Sequence, residues 1–507
     1  MGPVDRFRVW RNRRVFSRLE QSIAAEKDLG RQVELARVAA AFARQSGSGI
    51  FCSQAIEAAF LRRAAEISAA APGTVRPGTV LMVMSEAYFW GGHTRAVERW
   101  IEADRSRRYS VVVTRQRGDV EFPPRLKAAV EASGGTVETM RDTEDTVTRV
   151  ARLRELSSSF EFVVLHVHHD DPLPIMAYGT PAFTRPVGLY DHLDYSFWYG
   201  VSVADGIGEL REWGSALARS RRGTDVSTVL GIPGDSRPAD LPDRAAARRE
   251  LGLPGDAKIV MSAGAVYKYR PMSGRDFLKL AVPLLESSPD VLVVGLGMTF
   301  DDFPRWRTAS ERFGGRLKAL GRMPHDRFMS CLAAADVVID SWPVPGFTTL
   351  ADAVACARPV LTCPTEAGLM DWMRGSAAEC ATPEELVRRA GGMLADRAAR
   401  EACLADVVPR LEASRSPAEF VGRANVFFGR MSAAGHAVHA FAPPSRPPDA
   451  FDAFLGRMEM FDFNELAAHW CRSLYGKWSW TTVSFVCDRH PWKTPWLVFR
   501  WMLKGCR

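Results

Sequence analysis

The chain has 507 residues, 47% of them hydrophobic and 25% charged, which suits a large globular protein of about three domains and excludes a disordered or collagen-like chain. No apolar run reaches the roughly 18 residues of a membrane span, the Arg-rich start lacks the apolar stretch of a signal peptide, and nine cysteines without paired or ligand-like spacing read as reduced thiols. The net charge of +7 sits at the ends: residues 1–14 sum to +4 and residues 470–507 to +6, leaving −3 for the body. A cytoplasmic, metal-free protein is therefore expected, with the basic ends as the parts that meet an anionic surface. In chain order, residues 1–75 read as all-helical, with apolar residues at helical spacing over 29–42 and 54–67. A Pro/Gly linker follows at 70–78. Residues 79–225 alternate short apolar runs with helices, and strands are expected at 80–84, 110–114, 162–166 and 187–190. A polar connection over 225–256 leads into a second α/β unit, placed at 240–415. The remainder, 416–507, is expected to hold a helix over 418–431 that crosses back to the first unit, a flexible Pro-rich spacer at 440–450, and a Trp/basic tail. No repeat of 20–50 residues occurs.

Two segments of the second unit point to a phosphate. Ile339-Asp-Ser-Trp-Pro-Val-Pro-Gly-Phe-Thr-Thr-Leu-Ala-Asp352 reads as a strand end, a tight loop with Gly346, and a helix opened by Thr348 and Thr349. Free N–H groups and the helix dipole favour an anion at such a place. Asp352, one turn on, is placed to accept from a ribose. An ordinary strand–helix connection has the same outline. Lys258-Ile-Val-Met-Ser-Ala-Gly-Ala-Val-Tyr267-Lys268-Tyr-Arg270 puts two cations at the carboxyl end of a strand, where open α/β sheets bind ligands. Lys268 and Arg270 can neutralise a diphosphate, or be two solvated basic residues on a loop.

Three clusters in the first unit carry polar chemistry. Ser85-Glu-Ala-Tyr-Phe-Trp-Gly91-Gly92-His93 opens a helix where backbone can approach a ligand, and His93 can take a proton from a hydroxyl or cap the helix. His166-Val-His168-His169-Asp170-Asp171 ends a strand. These side chains can line an acceptor site as His–Asp pairs, hold structural hydrogen bonds, or bind a metal. The metal is disfavoured because the ligands crowd into one six-residue stretch. Tyr190-Asp191-His192-Leu-Asp194-Tyr-Ser-Phe-Trp198 sets aromatics beside acids, a mixture that suits sugars or a plain core edge.

The sequence resembles GT-B glycosyltransferases, most nearly the branch of the O-GlcNAc transferases and the bacterial N-glucosyltransferases of adhesins. The similarity spans about 79–430 and is strongest in 258–365, through Tyr267-Lys268, Gly346-Phe-Thr348-Thr349, Asp352, Leu320-Gly-Arg-Met-Pro-His-Asp-Arg-Phe and Ala335-Asp-Val-Val-Ile-Asp340. Phe347 departs from it, standing where the family often has a polar residue or His beside the phosphate. Val344 stands where the retaining branch carries an acid, which favours inversion. The resemblance implies two Rossmann-like domains facing a cleft. It implies a nucleotide-sugar donor, UDP-linked, bound by Tyr267, Lys268, Arg270, Gly346, Thr348, Thr349 and Asp352. It implies a base on the first domain, with His93 ahead of His168 and Asp194. Gly92, Asp170, His192 and Trp198 are expected to line the site of a glycan, lipid-linked glycan or protein acceptor. A non-catalytic scaffold and a UDP-sugar epimerase are the alternatives of other classes.

The last 38 residues hold six of the fourteen tryptophans, interleaved with Lys and Arg. That composition fits an anionic membrane interface or an aromatic layer closing over the body. No nucleic-acid recognition motif is present.

Overall fold

The computed structural model describes residues 2–68, 73–89, 92–117, 121–234 and 243–458. The expectations for the Trp/basic tail and for Gly91 lie outside the described residues.

Three helices come first: α1 (Pro3–Ala25), α2 (Leu29–Ser46) and α3 (Gln54–Glu66). All three fall within the stretch 1–75 that reads as helical, although the apolar spacing stands out only over 29–42 and 54–67. In α1, Val15, Phe16, Leu19 and Ile23 also recur at helical spacing and are buried. They join Phe42 and Phe60 in one apolar core with Leu81 and Val163 of the first sheet and Phe197 of the segment after its fifth strand, so the helical region packs directly on that sheet. Polar ties reinforce the junction. Buried Glu57 accepts from the N–H groups of Gly200, Val201 and Ser202 at 2.9, 3.2 and 2.8 Å. The Arg154 guanidinium donates to the carbonyls of Ala64, Ile67, Met176 and Ala177.

The first sheet contains β1 (Arg76–Met84), β2 (Arg108–Gln116), β3 (Val137–Arg141), β4 (Phe160–His166), β5 (Val187–Asp191), β6 (Gly206–Glu209) and β7 (Ser227–Val229). All pairs are parallel, in the order β3-β2-β1-β4-β5-β6-β7. The central strands are apolar on both faces, as helix-covered parallel strands must be. The sequence pattern misses β3, β6 and β7 for local reasons. The first is a partly exposed edge strand, Gly-Ile-Gly-Glu has no apolar run, and β7 has three residues.

The second sheet orders β8 (Lys258–Ala263), β9 (Val291–Leu296), β10 (Leu317–Ala319), β11 (Val337–Ile339) and β12 (Val360–Leu361) as β10-β9-β8-β11-β12, again parallel. The helix Pro417–Ala434 then returns to the first unit. Phe420, Phe427, Phe428 and Met431 lie in one core with Val80, Trp100 and Tyr190. Gly188 and Gly206 make the room: a Cβ at either would stand 2.5 Å from the Phe427 ring or 2.8 Å from the Met431 side chain.

The stretch 440–450, expected as a flexible spacer, has no regular structure before Ala450 but is strapped to the body. Phe441 is buried. The Arg446 guanidinium donates to Gly49 O at 3.1 Å and to Asp452 at 2.6 Å, and the Arg13 guanidinium donates to Arg446 O at 2.9 Å.

Candidate active site

The donor half is built where β8 and β11 end side by side. Asp340, directly after β11, is the shaping residue. Its Oδ1 accepts from Ser341 N at 2.8 Å and Gly346 N at 2.7 Å, and its Oδ2 accepts from Thr362 Oγ1 at 2.7 Å. This folds residues 341–346 into a tight loop and aims the helix Phe347–Ala355 at the cleft. Among the described residues no side chain caps that helix, and its first-turn N–H groups are left for an outside acceptor. Gly346 requires a correction. Its N–H is spent on Asp340 and is not offered to a phosphate; the residue is small because a Cβ would press on Ser341 Oγ at 3.2 Å. Thr348 is exposed and Thr349 half-buried at the same helix start.

Lys268 arrives from the other strand. Val266–Tyr269 form a 3-10 turn after β8, and the Lys268 ammonium donates to Pro345 O at 2.8 Å, one residue before Gly346. An ammonium and an uncapped helix N-terminus thus meet at one point. Tyr267 and Arg270 flank it, both half-buried. Asp352 lies farther along the same helix, partly exposed, with Arg415 Nη1 at 3.7 Å from its carboxylate.

The opposite wall is a cluster of imidazoles at the carboxyl ends of β4 and β5, met by the helix α4 (Gly92–Ala103). Gly92 is exposed with open space around it. The His93 ring centroid lies 4.2 Å from that of His192 and 5.4 Å from that of His168. His166 Nδ1 and His192 Nε2 share a hydrogen bond of 3.0 Å. Both ring nitrogens of His93 are buried and have no hydrogen-bond partner among the described residues. Burial, with His168 adding to it, pulls its pKa from 6.5 down to about 3. His166 and His192 are also held well below the usual histidine range by burial.

His168 is differently placed. Arg115 Nη2 donates to its Nδ1 at 3.1 Å, and a guanidinium can only donate, so the neutral ring carries its proton on Nε2, 3.4 Å from the Tyr88 hydroxyl. With one nitrogen occupied and the other protonated it has no lone pair for an acceptor proton, which corrects its place as a reserve base. Asp194 is corrected for a similar reason. Its two oxygens accept from Arg211 Nε at 2.6 Å and Nη2 at 3.0 Å in a buried bidentate pair. Trp198, expected in the acceptor site, belongs to the interior. It is 4% exposed, donates from Nε1 to Asp191 Oδ2 at 3.0 Å and lies under the Arg222 guanidinium at 4.5 Å. Asp170 is at the cluster, held by Arg115 Nη2 at 3.2 Å and kept ionised well below its usual range, burial opposing and Arg115 prevailing.

Two arginines that sequence reasoning passed over join these walls. Arg211, after β6, pairs with Asp194 and also donates from Nη1 to the carbonyls of Ala367 at 2.9 Å and Leu369 at 3.3 Å in the second unit. Its guanidinium lies 4.2 Å from the ring centroid of Phe347 and 4.4 Å from that of Trp213. The position that departs from the family pattern thus carries a cation from the opposite unit over the helix start. Arg44 of α2 reaches His169 Nδ1 at 3.3 Å, so the N-terminal helices supply a side chain to this polar wall. Arg115 was also passed over, although an ionisable residue near the end of an apolar strand is a pattern that the sequence does display. Arg211 and Arg44 sit in ordinary polar surroundings and give no such pattern.

No protein-family model matches the sequence, and no curated protein matches it. Solved structures do match. HepE from Anabaena, in complex with UDP and glucose, aligns over 69% of this chain and 99% of its own at 14% identity, with a TM-score of 0.52. The O-GlcNAc transferase of Thermobaculum terrenum aligns over 83% of this chain and 81% of its own at 16% identity, with a TM-score of 0.50. Sucrose-phosphate synthase from Thermosynechococcus elongatus aligns over 70% and 99% at 12% identity, with a TM-score of 0.50. With two parallel sheets, strand ends turned to a shared cleft and a helix returning to the first unit, the chain has the GT-B fold.

Proposed function

We propose that the protein is an inverting glycosyltransferase that moves a sugar from a nucleotide-sugar donor, UDP-linked, to a glycan, lipid-linked glycan or protein acceptor. The observation that carries this reading is the Lys268 ammonium at 2.8 Å from Pro345 O, beside the uncapped start of the helix Phe347–Ala355. Positive charge is gathered where a leaving diphosphate would gain negative charge, and no metal is called on. The choice of UDP follows HepE, whose structures hold UDP and UDP-glucose. In the reaction the acceptor atom attacks the anomeric carbon and His93 takes the acceptor's proton. The bond to the diphosphate breaks, with the electron pair leaving to an oxygen that Lys268 and the helix N–H groups stabilise. Tyr267, Arg270, Thr348 and Thr349 complete the diphosphate contacts. Gly92, Asp170 and His192 face the acceptor.

We place the enzyme in the cytoplasm, peripheral to the inner face of the membrane. Among the described residues the six cysteines, Cys52, Cys331, Cys356, Cys363, Cys380 and Cys403, are buried and unpaired, as in a reducing compartment. No described helix is long and apolar enough to cross a membrane.

A screen of nucleotide sugars by thermal unfolding tests the donor assignment. A true donor at 100 times its Kd adds about 2.7 kcal/mol, a clear rise in Tm, and its transfer or slow hydrolysis should then be seen by product analysis. Stabilisation with no turnover would leave a binding scaffold, and an epimerised donor without acceptor would make the protein an epimerase.

Asp352→Ala should raise KM for the donor more than it lowers kcat. A ribose contact is made equally in the ground and transition states, so its loss removes uniform binding. Calorimetry with the nucleotide diphosphate checks this; unchanged affinity would reduce Asp352 to a partner of Arg415.

The pH profile follows from His93. Its folded pKa of about 3 lies below the ordinary 6.5, and the base form is the one above the pKa, so it stays neutral throughout the range pH 5–8. The kcat/KM for the donor, which reports the free enzyme, should therefore show no acid limb near 6.5. A limb there that His93→Ala abolishes would contradict the burial seen for this ring.

A further inference from the structure

Arg211 joins the two units with nearly everything a guanidinium has to offer. It is fully buried. Four of its five N–H donors are engaged, two by the Asp194 carboxylate of its own unit and two by the carbonyls of Ala367 and Leu369 in the second. Its planar surface is engaged as well, by the Phe347 ring of the second unit at 4.2 Å and the Trp213 ring of the first at 4.4 Å.

The segment 367–371 is shaped for this contact. Gly368 has a φ of +70°, and a Cβ there would stand 3.2 Å from Arg211 Nη1 and 3.3 Å from the Trp213 ring. Beside it, Glu212 N donates to the Asp371 carboxylate at 2.8 Å. Three consecutive residues, Arg211, Glu212 and Trp213, therefore meet the same short stretch of the second unit.

What the bridge carries at its two ends ties it to the chemistry. Asp194 lies two residues after His192, whose ring centroid is 4.2 Å from that of His93. Phe347 is the first residue of the helix whose N–H groups are left for the diphosphate. A guanidinium fork fixes the direction of each oxygen it binds, so the imidazole wall and the donor helix are set against one rigid group.

We propose that Arg211 is a positioning residue for sugar transfer. It fixes the distance between the imidazole wall and the donor helix, so that the attacking atom and the anomeric carbon come within bonding range. The proposal rests on the reaction assigned above. The diphosphate is held by the second unit alone, whereas attack needs both walls, so loss of the bridge should lower the rate and spare nucleotide affinity.

The test reads the two quantities separately. UDP affinity is measured by calorimetry. Turnover is measured as UDP released from UDP-glucose or UDP-N-acetylglucosamine, whichever stabilises the intact protein, to water or to an added acceptor. Arg211→Lys keeps the charge and loses the fork. Its kcat should fall about 10–100-fold, since a displacement of about 1 Å at the reacting atoms suffices, with UDP affinity within about threefold of wild type. Gly368→Ala pushes on the bridge from the second unit and leaves Asp194 paired; it should show the same split in a weaker form, about three- to tenfold in kcat. Wild-type kcat in Arg211→Lys would overturn the proposal, and if that variant does not fold, Gly368→Ala decides by the same criterion. A parallel fall of UDP affinity and kcat would make the residue structural and overturn the proposal too. An intact protein that neither binds UDP nor releases it from a donor would remove the assigned reaction itself, and the positioning role with it.

Discussion

Lys268→Ala is expected to remove nearly all transfer, by about 10²–10³ in kcat, while the protein still melts as the wild type does. Among the described residues the ammonium donates one hydrogen bond, to Pro345 O, and the side chain is half-buried at a loop, so little of the fold depends on it. Its electrostatic value grows along the reaction, because charge gathers on the leaving oxygen only as the bond to the sugar breaks. An interaction made in the transition state lowers kcat and kcat/KM together when it is lost. Steady-state kinetics at saturating donor and a melting curve decide the matter. A wild-type kcat would mean that the diphosphate sits elsewhere than at the helix Phe347–Ala355.

His93→Ala should cost about 10²–10⁴-fold in kcat and leave donor binding intact. The residue lies on the wall opposite Lys268, and it is the one base candidate whose ring nitrogens carry no bond among the described residues. A neutral imidazole so strongly desolvated is a weak base in the empty enzyme. The negative charge of a bound diphosphate favours the imidazolium and would strengthen it when the donor is in place. Donor titration by calorimetry alongside turnover separates the two functions. Activity within a few-fold of wild type, or a product with retained anomeric configuration, would end the assignment.

The donor half was the legible half of the sequence, and the reason is physical. A diphosphate is bound by a local device, a strand end followed by a loop and a helix start. Tyr267-Lys268 and Gly346-Phe-Thr-Thr each lie within a few residues of the chain, so the pattern survives in one dimension. Even there, the Asp340 carboxylate that holds the loop and takes up the Gly346 N–H was visible only as part of a family pattern. The acceptor wall is assembled from α4, β2, β4 and β5, and its roles are set by which nitrogen or oxygen is already occupied. His168 and Asp194 look like bases in sequence and lose that capacity to Arg115 and Arg211. Trp198 looks like a sugar platform and is core. The strands read in advance were those with a run of apolar residues leading into a polar motif, such as β1, β4, β8 and β11, whereas β6, also buried, was passed over because Gly-Ile-Gly-Glu carries no such run. The helix α1 falls inside the region read as helical, but its apolar spacing went unnamed because the arginines between the buried residues broke up the pattern.

The return of the helix Pro417–Ala434 to the first unit has a bearing on how the molecule is made. Phe427 and Met431 fill the space left by Gly188 and Gly206, so the packing of that sheet includes residues synthesised more than two hundred positions later. As the chain leaves the ribosome, the first sheet must wait with an apolar trough uncovered until residue 431 has emerged. The second sheet, whose core draws on residues 247–411, has its whole complement before then. The later half of the sequence can therefore finish folding ahead of the earlier half, and a chain cut at residue 416 would deliver a complete second unit attached to a first one that cannot close.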